Sequence, residues 1–202
     1  MVVSSNEPVI GFRCEPLDGQ HGWTWTLTTR LSNLLEEAER RFGPRDLQWT
    51  PVGIEFGGGN PGVWYPGGWD RKHISIRLSR HAADRPERAI FQLTHEVIHL
   101  LSPGPREEAL AIEEGLATLF SLEVSCRFKV NLVYGEAAYN HAAAATKKLL
   151  DIDPDAVKRL RAKRPSFSEF TPDFVRENIP EVSEQLACDL CERWDALEVR
   201  LG

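Results

Sequence analysis

His95 and His99 stand four residues apart in "QLTHEVIHLLSP", with Glu96 directly after the first histidine and apolar residues around all three. On a helix, positions i and i+4 share a side, so both imidazoles can aim a ring nitrogen at one ion. Two ligands do not complete a centre. A hydrolytic zinc takes three protein ligands and keeps a position for water, and a carboxylate set between the histidines can accept a proton from that water. Glu96 is such a carboxylate, so the spacing predicts bound Zn2+ and a general base.

The third ligand must come from a different element packed against the histidine helix. In "AIEEGLATLF" two acids begin fourteen residues beyond His99, after the break at Pro103, Gly104 and Pro105. Glu113 and Glu114 are both candidates. Successive helical residues point about 100° apart, so only one of the pair can face the ion squarely.

His95-Glu96-x-x-His99 followed by Glu-Gly-Leu-Ala resembles the gluzincin metallopeptidases, the thermolysin-like and aminopeptidase-N-like group. Their third ligand is the Glu of an Asn-Glu-Gly-Phe-Ala or similar motif on the next helix, immediately before the glycine. Carried over, the resemblance implies Glu114 as ligand and sets Glu113 where the group commonly has Asn; it covers residues 91–120. It also implies a tyrosine that donates to the oxyanion, found in the aminopeptidase-like branch near the start of a later helix, in a Tyr-x-x-Gly-Ala context. "LVYGEAAYNHA" is similar, which implies Tyr134. On an ideal helix Tyr134 and Tyr139 point about 140° apart, and Tyr134 and His141 about 20° apart, so the choice lies between Tyr134 with His141 and Tyr139 alone. Tyr134 is preferred.

The sequence departs from the group in two places. The Gly-Ala-Met-Glu-Asn type of loop that holds a substrate's free amine is absent, so exopeptidase activity is not expected. Thr118 stands where thermolysin-like enzymes carry an acidic partner for a histidine, and Glu113 or a backbone carbonyl would have to orient the rings instead. The resemblance implies a zincin-like α+β fold and a zinc-dependent peptidase. His95, His99 and Glu114 would hold the metal, Glu96 would move the proton, and a peptide or protein would be the substrate. The competing expectation is a non-catalytic, zinc-bearing or metal-free helical binding module on the same scaffold.

The surrounding elements must place these residues. "TTRLSNLLEEAERRFG" repeats Leu31, Leu34, Leu35, Ala38 and Phe42 at helical spacing up to Gly43-Pro44. "TPVGIEFGGG" and "NPGVWYPGG" predict short strands or a hairpin, and "KHISIRLS" alternates Ile74, Ile76 and Leu78 on one side. As the last strand before the histidine helix, it is the expected exposed edge for a substrate backbone to join. The glycine-rich "FGGGNPGVWYPGGW" would form the opposite rim, a lid, or merely tight turns. From Pro86 the pattern turns helical, with Ala89, Ile90, Leu93, Val97 and Leu100 forming one stripe. Helices fill the remainder, and Ala137 and Ala138 are small enough to let the tyrosine-bearing helix approach the metal helix. The expected organisation is one domain over 1–202, mainly sheet-bearing in 1–84 and mainly helical in 85–202.

Composition restricts the partners. The 202 residues are 42% hydrophobic, enough for a sizeable core, and a formal net charge of -6 with interspersed signs does not suit a nucleic-acid surface. "MVVSSNEPVI" has no basic segment leading an apolar one, and no apolar run nears the roughly 18 residues that span a bilayer. Neither nucleic acid nor membrane is expected as a partner, and the expected compartment is cytoplasmic. Cys14 and Cys126 stand alone, while Cys188 and Cys191 fall in a helical pattern and read as ordinary buried or half-buried thiols. Six Trp and nine Phe would serve a core or an interface equally well, leaving the oligomeric state open.

Overall fold

The stripe that begins at Pro86 becomes the central helix of the molecule. In the computed structural model, which describes residues 27–105, 109–128 and 134–201, three strands and eight helices are present among the described residues. The chain is thus mostly helical, with one small sheet. Cys14 and residues 132 and 133 of the tyrosine motif lie outside the described residues.

Helix α1 (Leu27–Phe42) buries Leu31, Leu34, Leu35, Ala38 and Phe42 along one side. It ends where Gly43 takes φ +96 and donates its N–H to the Glu39 carbonyl, a left-handed closure that suits a residue without Cβ. Strands β1 (Thr50–Gly57), β2 (Gly62–Trp64) and β3 (His73–Ser79) follow. The sheet order is β1-β3-β2, with β1 parallel and β2 antiparallel to β3.

This order corrects two expectations. β1 and β2 do not pair as a hairpin, and β3 is the central strand rather than an exposed edge. The reason lies in the sequences. β3 carries neither Pro nor Gly and buries Ile74, Ser75, Ile76 and Leu78, so it can be paired on both sides. β1 contains Pro51 and Gly53, where the register shifts, and such residues suit an edge. The edge next to the histidine helix is β2.

Helix α2 (Pro86–His99) starts with Pro at its first turn, where a missing N–H costs nothing, and buries Ala89, Ile90, Leu93, Val97 and Ile98. Helix α3 (Ala111–Arg127) holds Glu113 and Glu114 in its first turn, where the helix dipole favours negative charge. Helix α4 (Ala137–Ile152) packs chiefly on α3, and its Tyr139 reaches His95 of α2. Gly115 explains how closely. A Cβ there would sit 2.3 Å from the Ala142 carbonyl oxygen and 2.3 Å from Thr146 Oγ1. The glycine of the Glu-Glu-Gly motif is a contact surface between helices.

Helices α5 (Ala156–Lys163), α6 (Pro172–Asn178), α7 (Glu184–Leu190) and α8 (Trp194–Leu201) complete the chain. Thr171 and Ser183 cap α6 and α7 by accepting the N–H groups of Phe174 and Leu186. The expected continuous helix around Cys188 and Cys191 breaks after Leu190, leaving Cys188 exposed on α7 and Cys191 half-buried just past its end. Two backbone bonds, Ala111 N–H to Glu192 and Trp194 N–H to Ala109, pin the start of α8 beside the start of α3. Buried Arg161 donates to the carbonyls of Phe42, Gly43, Pro44, Leu101 and Pro165, tying the ends of α1 and α2 to the loop after α5. No helix among the described residues is long and apolar enough to cross a membrane.

Candidate metal centre

One turn of α2 separates His95 from His99, and their ring centroids lie 5.2 Å apart on the side that faces α3. There the two Nε2 atoms meet a single carboxylate. His95 Nε2 is 3.2 Å from Glu114 Oε2, and His99 Nε2 is 3.7 Å from Glu114 Oε1. One ligand atom from each of His95, His99 and Glu114 falls within 4.8 Å of the others, the grouping a metal ion requires.

Both outward ring nitrogens are held. Glu113 Oε1 lies 2.8 Å from His99 Nδ1, so the first acid of the pair turns to the back of the ring that Glu114 faces from the front. The 100° between successive residues makes this division possible. At His95 the holder is Tyr134, whose hydroxyl lies 2.8 Å from Nδ1 and 2.9 Å from Ser121 Oγ. Thr118 donates to the Glu114 carbonyl and touches neither imidazole by hydrogen bond among the described residues.

The tyrosine geometry departs from the helical-wheel expectation. Tyr134 precedes the first residue of α4, so the angle between it and Tyr139 is not set by helical period. Both rings reach the site: Tyr134 and Tyr139 are 4.9 Å apart, and each centroid is 5.7 Å from that of His95. His141 lines neither cavity described below. Tyr139 also packs on Trp194 at 4.8 Å, which brings α8 in as its support.

Charge makes the centre receptive to a cation. Glu96, Glu113 and Glu114 are all buried beside two imidazoles. Burial alone would push the His99 imidazole down, but Glu114, then Glu113 and Glu96, raise it to about 10. Three carboxylates in little water need compensation, which a divalent ion held by His95, His99 and Glu114 would supply. The donor set of two imidazoles and one carboxylate fits zinc.

Two cavities open on either side. A cavity of about 140 Å³ is lined by Gly62 and Val63 of β2, Tyr65, both histidines, all three acids and Tyr139. A second of about 480 Å³ is lined by Asn60, Pro61, Phe91, Gln92, His95, Glu96, Tyr134 and Tyr139. His95, Glu96 and Tyr139 border both. Tyr65 fixes the outer wall by donating to the Gly104 carbonyl at 2.8 Å and stacking on Trp69.

Sequence reasoning passed over two contributors. Ser121 lies seven residues after Glu114 and so on the same face of α3, a periodicity that could have found it. The placement of β2 beside the histidines had no local signal. Comparison with protein-family models, with curated proteins and with solved structures finds no match to this chain.

Proposed function

We propose that this chain is a zincin-like, zinc-dependent peptidase of gluzincin type. The observation that supports it most is the convergence of His95, His99 and Glu114 within 4.8 Å, with Glu96 lining the cavities on both sides. Three protein ligands leave a position for solvent or substrate, whereas a purely structural zinc is usually closed by four, and the group has three members among the described residues.

A zinc ion held by these side chains would supply a Lewis acid that polarises the scissile carbonyl and acidifies a water. The chain's own residues do the rest. Glu96, on the helix between the two histidines, takes the proton of the attacking water and passes it to the leaving amine nitrogen. β2, an edge strand whose Gly62 and Val63 line the smaller cavity, offers backbone N–H and C=O groups to an extended peptide. Tyr139, which borders both cavities, would donate to the oxyanion. Glu113 takes over the orienting work that a residue at the Thr118 position performs in thermolysin-like enzymes.

Glu96→Gln tests the assignment. The variant should fold and hold zinc as the parent does while losing about 10²–10⁴ in peptide hydrolysis, since only proton transfer is removed. Parallel loss of zinc would show that Glu96 is a ligand instead.

A further inference from the structure

Ser121, Tyr134 and His95 form a hydrogen-bonded series that the proposed chemistry does not use. Ser121 Oγ donates to the Thr118 carbonyl at 2.9 Å and lies 2.9 Å from the Tyr134 hydroxyl, which lies 2.8 Å from His95 Nδ1. Each hydroxyl has one hydrogen to give, and a carbonyl oxygen only accepts. For all three contacts to be hydrogen bonds at once, the Ser121 hydrogen goes to Thr118 and the Tyr134 hydrogen goes to Ser121. The hydrogen between Tyr134 and His95 must then come from Nδ1–H. Running the series the other way gives the Ser121 hydrogen to Tyr134 and forfeits the bond to Thr118. Ser121 is fully buried, where a lost partner is not replaced by water, so the first direction is favoured by one bond.

We infer that Tyr134 and Ser121 are positioning residues that hold His95 as its Nδ1–H tautomer and so present the Nε2 lone pair to the ion. This rests on the metal-centre reading above. At the front of the ring, Nε2 lies 3.2 Å from the Glu114 carboxylate and is the nitrogen an ion held by Glu114 would meet. Phe91 and Tyr139 lie against the Tyr134 ring at 4.8 and 4.9 Å and fix its plane. Glu114, Thr118 and Ser121 fall at i, i+4 and i+7 on α3, so the helix that supplies the carboxylate ligand also terminates the series behind the opposite histidine. The two imidazoles are therefore held differently, His99 by a carboxylate and His95 by a neutral phenol. The Tyr134 hydrogen is committed to Ser121.

The test uses the full chain loaded with zinc and reads the imidazole N–H protons by NMR, together with zinc affinity in competition with a chelator. The parent should show two downfield, exchange-protected Nδ1–H signals, one from each histidine. Tyr134→Phe, which keeps the ring, should lose or move the His95 signal, leave the His99 signal in place and weaken zinc binding about tenfold or more. Ser121→Ala should move the same signal, and Ser121→Thr should restore it. An unmoved His95 signal and unchanged zinc affinity in both Tyr134→Phe and Ser121→Ala would overturn the inference while leaving the metal centre intact. Failure of the parent itself to bind zinc would overturn the metal centre, and this inference with it.

Discussion

Glu113 Oε1 approaches His99 Nδ1 to 2.8 Å while Glu114, the next residue, faces His99 Nε2 from the other side of the ring at 3.7 Å. Two adjacent carboxylates thus grip one imidazole front and back. Variants of the pair should separate their roles. Glu114→Ala should abolish tight zinc binding, because a ligand is gone, whereas Glu113→Ala should weaken it about 10–100-fold by releasing the ring. Chelator competition measures both, and a reversed order would move the ligand by one residue.

The same carboxylates set a pH dependence. In the metal-free protein His99 is raised from its ordinary value to about 10. A raised imidazole contributes stability that is fully present below about pH 6.5 and is lost as pH climbs toward 10. Zinc bound at Nε2 would take the place of that proton, so the loaded protein should not show this loss. Binding near pH 7.5 should release a proton from His99, which calorimetry in buffers of differing ionisation enthalpy would detect. Zinc uptake without any proton release would contradict the placement of His99.

Gly115→Ala tests the close contact of α3 with α4. Its Cβ would sit 2.3 Å from both the Ala142 carbonyl and Thr146 Oγ1, and a backbone oxygen cannot swing aside as a flexible side chain can. Overpacking of this kind typically costs about 1–3 kcal/mol. Urea unfolding should show a loss in that range or above, and zinc affinity should fall as α3 is pushed out of position. A variant as stable as the parent would mean that the helices separate easily.

Patterns between sequence neighbours were legible at several elements. The i, i+4 spacing of His95 and His99, the buried stripe from Ala89 to Val97 and the alternation of Ile74, Ile76 and Leu78 all depend on neighbours in sequence, and each element formed where its pattern lies. The sheet order did not follow from such patterns. Whether β2 pairs with β1 or with β3 depends on which strand can be covered on both sides, a contest decided across the fold. The angle between Tyr134 and Tyr139 was not legible because helical period sets it only inside a helix, and α4 begins at Ala137. Ser121 looked like one polar residue in an apolar helix until Tyr134 arrived from outside that helix to meet it.

The most direct measurement is elemental analysis of the purified chain beside His99→Ala. The account predicts close to one zinc per parent chain and loss of tight zinc in the variant, with helical content retained in both. A parent free of zinc after purification and after incubation with the ion would contradict the central claim, and the clustered histidines and buried glutamates would then need a different partner for their charge.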